Sequence, residues 1–303
     1  MTFRFSPALP LTALAMIAFA ANSVITRLAL SEVGTQLLGA KISAGQFVFI
    51  RLLSGAVVLA LLCLLVKNKT SLPDLWRAGH WRGGASLFAY AACFSFAYIA
   101  LPSGVGALIL FGCVQLTMLG AGFAMGERLA AAQWAGVAAA VSGLIWMLLP
   151  QGDVPPFPFW ATGLMALSGI AWGIYSLLGK GVTTPGPTAR TAGHFIRGCV
   201  IAALILPAII YWQSPDMPNL AGIILALVCG GLTSGLGYAV WYSALRGLTA
   251  SRAAIAQLTV PVLAALGGVI FIAEPITLRF VLSSALVLGG VGAAMVVRSK
   301  RRA

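Results

Sequence analysis

The chain predicts an all-α integral membrane protein of ten transmembrane helices, arranged as two inverted five-helix repeats. Three observations predict it. Of 303 residues, 60% are hydrophobic and only 8% charged, too little polar surface for a soluble domain of this length. Charge then disappears for about 20 residues at a time, the length a helix needs to cross about 30 Å of hydrocarbon. Finally, Phe49-Ile50-Arg51 returns as Phe195-Ile196-Arg197, and Gly126-Glu127 as Ala273-Glu274, after 146 and 147 residues.

The first span, 9-30, carries Asn22, Ser23 and Arg27, polar residues foreign to the apolar run of a cleavable leader, so it reads as a working span. Span 45-66 holds Arg51 one to two turns inside its start, and span 83-101 holds Tyr90, Phe94 and Ser95. Spans 104-125 and 130-149 follow, with Gly126-Glu127 between them. The stretch from Pro150 to Pro158 is too rich in proline to continue a helix and separates a first unit, 1-150, from a second, 151-303. In the second unit, span 158-179 contains Trp172, Tyr175 and Ser176, span 193-212 contains His194 and Arg197, and span 220-244 contains Tyr238, Trp241 and Tyr242. Spans 251-272 and 277-297 complete the set. No connector is long enough for a soluble catalytic or nucleotide-binding domain.

The formal charge of +13 would suit a nucleic-acid binder, but its distribution argues against one. With the N-terminus inside, the cytoplasmic segments hold Arg4, Lys67, Lys69, Arg77, Arg82, Arg128, Lys180, Arg190, Arg246, Arg252 and the Arg298, Lys300, Arg301, Arg302 tail, while the other side keeps Arg27, Lys41 and Arg279. This is the positive-inside pattern, and it places both termini in the cytoplasm of a bacterial-type inner membrane. Glu127 then falls in a cytoplasmic loop and its mate Glu274 in an external one. The charge bias and the repeat thus agree independently on inversion, an arrangement of transporters.

The repeat also reaches the span interiors. Phe19, Asn22, Ser23 and Arg27 match Trp172, Tyr175, Ser176 and Lys180 at an offset of 153, and Ala91, Phe94 and Ser95 match Tyr238, Trp241 and Tyr242 at 147. Each trio is spaced i, i+3, i+4 and shares one helix face, with Tyr90, one turn before Phe94, extending the face of Ala91, Phe94 and Ser95. A hydroxyl or indole N–H facing lipid would lack a partner, so these faces should point into the bundle. Phe19, Asn22, Ser23, Tyr90, Phe94, Trp172, Tyr175, Ser176, Tyr238, Trp241 and Tyr242 are therefore the expected lining of a site for a small molecule with an apolar or aromatic body, with ordinary helix packing as the competing reading for each. Arg51 and Arg197, with His194 on the face of Arg197, are expected near opposite mouths of the pathway, where gating and snorkelling to headgroups are both open. Trp134, Trp146, Trp160 and Trp212 lie near span ends and fit an interfacial belt.

Absent motifs narrow the chemistry. The five cysteines, all in apolar spans, form no disulfide framework, and neither they nor the histidines have metal-ligand spacing. No ATP-binding Gly-x-x-x-x-Gly-Lys-Ser/Thr is present. Gly231-Leu-Thr-Ser234-Gly has the wrong spacing for a serine hydrolase, so no enzyme, cofactor or metal is expected. Glu32, Asp74, Glu127, Asp153, Asp216 and Glu274 all fall in loops or at span ends, which leaves acid-based ion coupling without a candidate and favours facilitative or exchange transport. The expected partners are the bilayer and a small-molecule substrate, with no obligate protein partner; a channel or non-transporting receptor is the rival.

The stretch Tyr238-Ala-Val-Trp-Tyr-Ser-Ala-Leu-Arg-Gly-Leu-Thr-Ala-Ser-Arg-Ala-Ala-Ile-Ala-Gln-Leu-Thr-Val-Pro261-Val, running on to Glu274-Pro275, resembles the signature of spans 8 and 9 in the EamA family of the drug/metabolite transporter superfamily. The first copy matches less well: Val114 replaces the proline and Arg128 follows Glu127. The resemblance implies the ten-span fold and export of small metabolites, with amino acids, including aromatic ones, as the expected substrates and nucleobases, nucleosides, organic cations or drugs as alternatives. Asn22-Ser23 stands where family members often carry Trp-Gly or Trp-Ser.

Overall fold

The computed structural model describes residues 8–66, 71–128, 130–149, 157–179, 186–213, 216–245, 247–248, 253, 256–296 and 300–301. The chain is helical almost throughout: α1 Ala8–Leu30, α2 Glu32–Leu38, α3 Ala44–Val66, α4 Leu72–Ala78, α5 Trp81–Ala97, α6 Ser103–Ala124, α7 Ala131–Leu148, α8 Phe159–Leu178, α9 Pro187–Gln213, α10 Leu220–Val228, α11 Gly237–Leu245, α12 Val260–Ile272 and α13 Leu278–Val296. A π-helical segment, Cys229–Leu236, joins α10 to α11 into one long helix. Among the described residues, seven helices are long and apolar enough to cross a membrane: α1, α3, α6, α7, α8, α9 and the continuous Leu220–Leu245. The three other expected spans correspond to α5, α12 and α13, of 17, 13 and 19 residues; part of the expected span 251-272 lies outside the described residues. The protein is a multi-pass integral membrane protein.

Helix ends follow local chemistry. Ser31 caps α2, its hydroxyl accepting the Gly34 N–H, and Gly39 ends that helix in the left-handed region at φ 63°. Ser71 and Asp74 form a reciprocal capping box on α4. His80 caps α5, its Nδ1 accepting the Gly83 N–H at 2.9 Å, and Asn219 caps α10 while also accepting the Lys41 N–H at 3.0 Å. The loops after α6 and α12 both turn through positive φ, at Gly126 (89°) and at Ala273 (57°).

Packing gathers the same helix ends together. At one end, Arg27 of α1 meets the α5–α6 and α12–α13 loops, and Gln46 of α3 donates to the Asp216 carbonyl at 2.8 Å. At the other, Glu127–Arg128 pairs antiparallel with Lys300–Arg301, and α4 packs on α9. The principal pairs are α7 with α13, α3 with α9, α5 with α8 and α9, α6 with α8 and α12, and α1 with α11 and α12. Close approach of α7 and α13 depends on glycine. A Cβ on Gly136 would stand 2.4 Å from the Gly290 carbonyl, and one on Gly290 2.5 Å from the Gly136 carbonyl.

Candidate functional site

Between α1, α5, α8 and α11 the aromatic residues interlock. Trp172 is the hub: its ring centroid lies 4.8 Å from Tyr90, 5.0 Å from Tyr238, 5.4 Å from Tyr175 and 6.2 Å from Phe19. Phe19 adds edge contacts to Tyr238 at 5.7 Å and Trp241 at 5.8 Å, and Tyr90 meets Phe94 at 5.4 Å. Tilted and edge-to-face arrangements dominate, as the ring quadrupole favours. The chamber they enclose, lined by Phe19, Asn22, Ser23, Tyr90, Phe94, Leu110, Phe111, Trp172 and Tyr238, holds only about 10 Å³. That is room for about one water, so the chamber is closed around its own walls.

A polar seam runs along one side. Asn22 Oδ1 accepts from Thr233 Oγ1 at 2.7 Å, Ser234 Oγ at 3.1 Å and Cys229 Sγ at 3.2 Å, all three within the π segment. The wider i→i+5 winding of that segment is a feature often found at functional sites. Ser234 Oγ in turn accepts from Arg51 Nε at 3.2 Å, and Arg51 Nη2 donates to the Tyr90 hydroxyl at 3.2 Å. The guanidinium carbon lies over the rings of Phe94 and Tyr90, 4.9 and 5.4 Å from their centroids.

The expected lining divides. Phe19, Asn22, Ser23, Tyr90, Phe94, Trp172 and Tyr238 surround the chamber, and Trp241 backs it through Phe19. Tyr175 and Tyr242 instead line a neighbouring cavity of about 40 Å³ with Arg190, Thr191 and His194. Ser176 spends its hydroxyl on the Trp172 carbonyl of its own helix, at 2.8 Å.

Placement of Arg51 at a mouth needs correction: it is 1% exposed and packs against Tyr90 and Phe94, two of the chamber's walls, without itself lining the chamber. Arg197 lies at the α4 end, donating to the Trp76 and Gly193 carbonyls and stacked on Trp76 at 4.1 Å. His194 Nδ1 lies 3.3 Å from the Tyr175 hydroxyl, and its ring is 4.5 Å from that of His80.

Sequence reasoning missed Cys229, Thr233 and Ser234 as the partners of Asn22. It also missed a clamp at the opposite end from α4. Arg27 Nε pairs with Glu274 Oε1 at 3.3 Å and Arg27 Nη1 donates to the Tyr98 and Ile99 carbonyls, while Glu274 Oε2 accepts the Ser103 N–H at 2.8 Å. One carboxylate thus ties together α1, the start of α6 and the α12–α13 loop. The signal available was the repeat itself, which singled out Glu274 without giving it a partner.

A multi-span helical protein with a closed aromatic chamber between its helices is what these features define. The profile of the EamA-like transporter family matches residues 159–296, the stretch that contains Trp172 and the Tyr238-to-Pro275 signature. An uncharacterized protein of Pseudomonas aeruginosa is 46% identical over 293 residues, 97% of this chain and 96% of the relative. An uncharacterized transporter of Archaeoglobus fulgidus is 29% identical over 194 residues, 64% of this chain and 68% of that one. A crystal structure at 20% identity superposes with a TM-score of 0.60, covering 93% of this chain and 96% of the other, and shares the fold. The chain belongs to the EamA-like transporter family and has that family's membrane transporter fold.

Proposed function

We propose that the protein exports small organic metabolites, foremost aromatic and neutral amino acids, by alternating access between two inverted five-span halves, 1–150 and 151–303. The aromatic chamber is the substrate site, transport is facilitative or by exchange, and the membrane is a bacterial-type inner membrane with both termini in the cytoplasm. The chamber carries this reading. Its walls come from α1, α5 and α6 of one half and α8 and α11 of the other, so movement of one half against the other would open it.

The inversion is supported by contacts that survive exchange of the halves. Swapping α1 with α8, α3 with α9, α5 with α10–α11, α6 with α12 and α7 with α13 turns the α5–α8 pair into α11–α1, α6–α8 into α12–α1, and α5–α9 into the contact of the π segment with α3. The Gly136–Gly290 approach becomes that of Gly143 and Ser283, which is also present. Gly126 and Ala273, sequence mates, share positive φ.

The test is counterflow in proteoliposomes at matched protein incorporation. Trp172→Ala should lower exchange of phenylalanine by about tenfold or more, since it removes several ring contacts at once. Trp160→Ala, at a position 50% exposed, should leave exchange near wild type. Equal effects of the two would defeat the chamber assignment, and single-channel currents without trans-stimulation would favour a channel.

A further inference from the structure

Among the described residues Arg51 is a buried cation without a counter-charge. It sits seven residues into α3, about 10 Å from that helix's first residue at 1.5 Å per residue, and is 1% exposed. Every contact it makes is neutral: the Ser234 and Tyr90 hydroxyls and the faces of Tyr90 and Phe94. Among the described residues the ion pair present is Arg27–Glu274, at another place in the fold. Removing an ion from water without an opposite charge costs several kcal/mol, and such a group persists where function requires it.

Among the described residues, three donors at this place are unused: Arg51 Nη1 and the Tyr238 and Ser23 hydroxyls are buried without a hydrogen-bond partner. Tyr238 is a chamber wall, and so are Tyr90 and Phe94, the two rings that hold the guanidinium. A planar guanidinium with a free edge matches a carboxylate in charge and geometry. Among the described residues no acid lines the chamber, and the Asn22 carbonyl oxygen already accepts three donors. The walls therefore offer a reader for a carboxylate and no ionic partner for an ammonium group.

Resting on the reading of the chamber as the substrate site, we propose that Arg51 is its anion receptor and that the transported class is defined by a carboxylate on an aromatic or apolar body, the amino group being dispensable. The carboxylate takes Arg51 Nη1 and the Tyr238 hydroxyl, while the body packs on Trp172 and Phe19. Aryl carboxylates without an amine belong to the class as fully as aromatic amino acids do. Aromatic amines without a carboxylate are excluded, because they would bring a second cation beside Arg51.

The experiment uses three nearly isosteric probes, 3-phenylpropionate, L-phenylalanine and 2-phenylethylamine, on the purified full-length protein in lipid nanodiscs. Binding is read by tryptophan fluorescence and thermal shift for wild type, Arg51→Gln, Arg51→Lys and Trp172→Ala. The two carboxylates should bind wild type at least about tenfold more tightly than the amine, Arg51→Gln should lose about tenfold or more of carboxylate affinity, and Arg51→Lys should recover part of it. Ligand-free Arg51→Gln should melt no lower than wild type, because it removes an unpaired buried charge; a purely structural arginine would lower that temperature instead. Equal binding of amine and carboxylates, absence of carboxylate binding to wild type, or undiminished carboxylate affinity in Arg51→Gln overturns the proposal, and wild-type selectivity decides it should Arg51→Gln fail to fold. Where any of these occurs while Trp172→Ala still loses exchange, the anion receptor falls and the chamber stands; where Trp172→Ala also keeps full exchange, both fall.

Discussion

The two Phe-Ile-Arg copies, identical in sequence, occupy unlike surroundings. In α3, Phe49 is only partly buried and lines an apolar groove with Tyr211, while Arg51 turns inward to the chamber rings. In α9, Phe195 is 1% exposed and packs against Tyr238, while Arg197 turns to the α4 end of the molecule. The difference traces to a piece present in one half only. Between α3 and α5 the chain inserts α4, whose last-turn carbonyl and indole at Trp76 receive the Arg197 guanidinium, with the indole of Trp81 at the start of α5 on its other side. Carbonyls at a helix C-terminus are natural partners for a cation. The α9-to-α10 connection, 214–219, inserts no comparable helix among its described residues. Among the described residues Arg51 therefore finds no such carbonyls at its own end of the bundle, and its guanidinium lies instead over the aromatic faces of Tyr90 and Phe94. A duplicated residue has taken two roles because the loops around it were not duplicated alike.

The largest expected break in this comparison is at Arg197. Replacing it with glutamine removes a charge-assisted bond to the Trp76 carbonyl and the stacking on two indoles, a loss of about 2 kcal/mol. Arg197→Gln should lower the melting temperature of the purified protein, whereas ligand-free Arg51→Gln should not. Loss of stability at Arg51 with none at Arg197 would reverse the assignment of roles.

A smaller effect concerns pH. Burial, then Arg190, Arg197 and Arg82, hold the His80 imidazole below its ordinary value of 6.5, and the His194 ring faces it at 4.5 Å. The folded protein thus takes up this proton less readily than the unfolded chain. The stability contribution is full above pH 6.5 and declines as pH falls below it toward the depressed value. Protonation at Nδ1 would also remove the acceptor that caps α5. Melting temperature should therefore fall below pH 6.5 in the wild type and fall less in His80→Asn, which keeps a capping side chain without the titration; identical slopes would exclude His80.

What was legible in the sequence followed from helical period. Trp172 and Tyr175, or Tyr90 and Phe94, share a face by spacing alone, and Phe19, Trp172 and Tyr238 do converge. The period failed where the winding changed. Through Cys229–Leu236 the π segment turns Ser234 as well as Cys229 and Thr233 toward Asn22, whereas 3.6-residue counting groups Cys229 with Thr233 and leaves Ser234, at i+5, off that face. Depth counted from a span end could not distinguish Arg51 from Arg197 either, because the deciding element, α4, is a short polar-capped helix that reads as loop. Pairing of Glu274 with Arg27 spans 247 residues, and a single chain carries no local signal of such a contact.

The smallest effect returns to the repeat through its backbone. Gly126 and Ala273 end α6 and α12 in the same left-handed region, at φ 89° and 57°, one as glycine and the other as alanine. The second copy pays for its Cβ there. Ala273 nevertheless holds the turn in which Glu274 N–H donates to the Gly268 carbonyl at 3.1 Å and the Glu274 side chain reaches Ser103 and Arg27. Exchanging the residues should move stability in opposite directions by about 1 kcal/mol each. Ala273→Gly should raise the melting temperature by relieving the strained φ. Gly126→Ala should lower it through the backbone alone, since a Cβ at Gly126 would meet nothing within 4 Å. A gain from both substitutions would mean that the two turns are not conformational mates, and the backbone support for the inverted repeat would go with them.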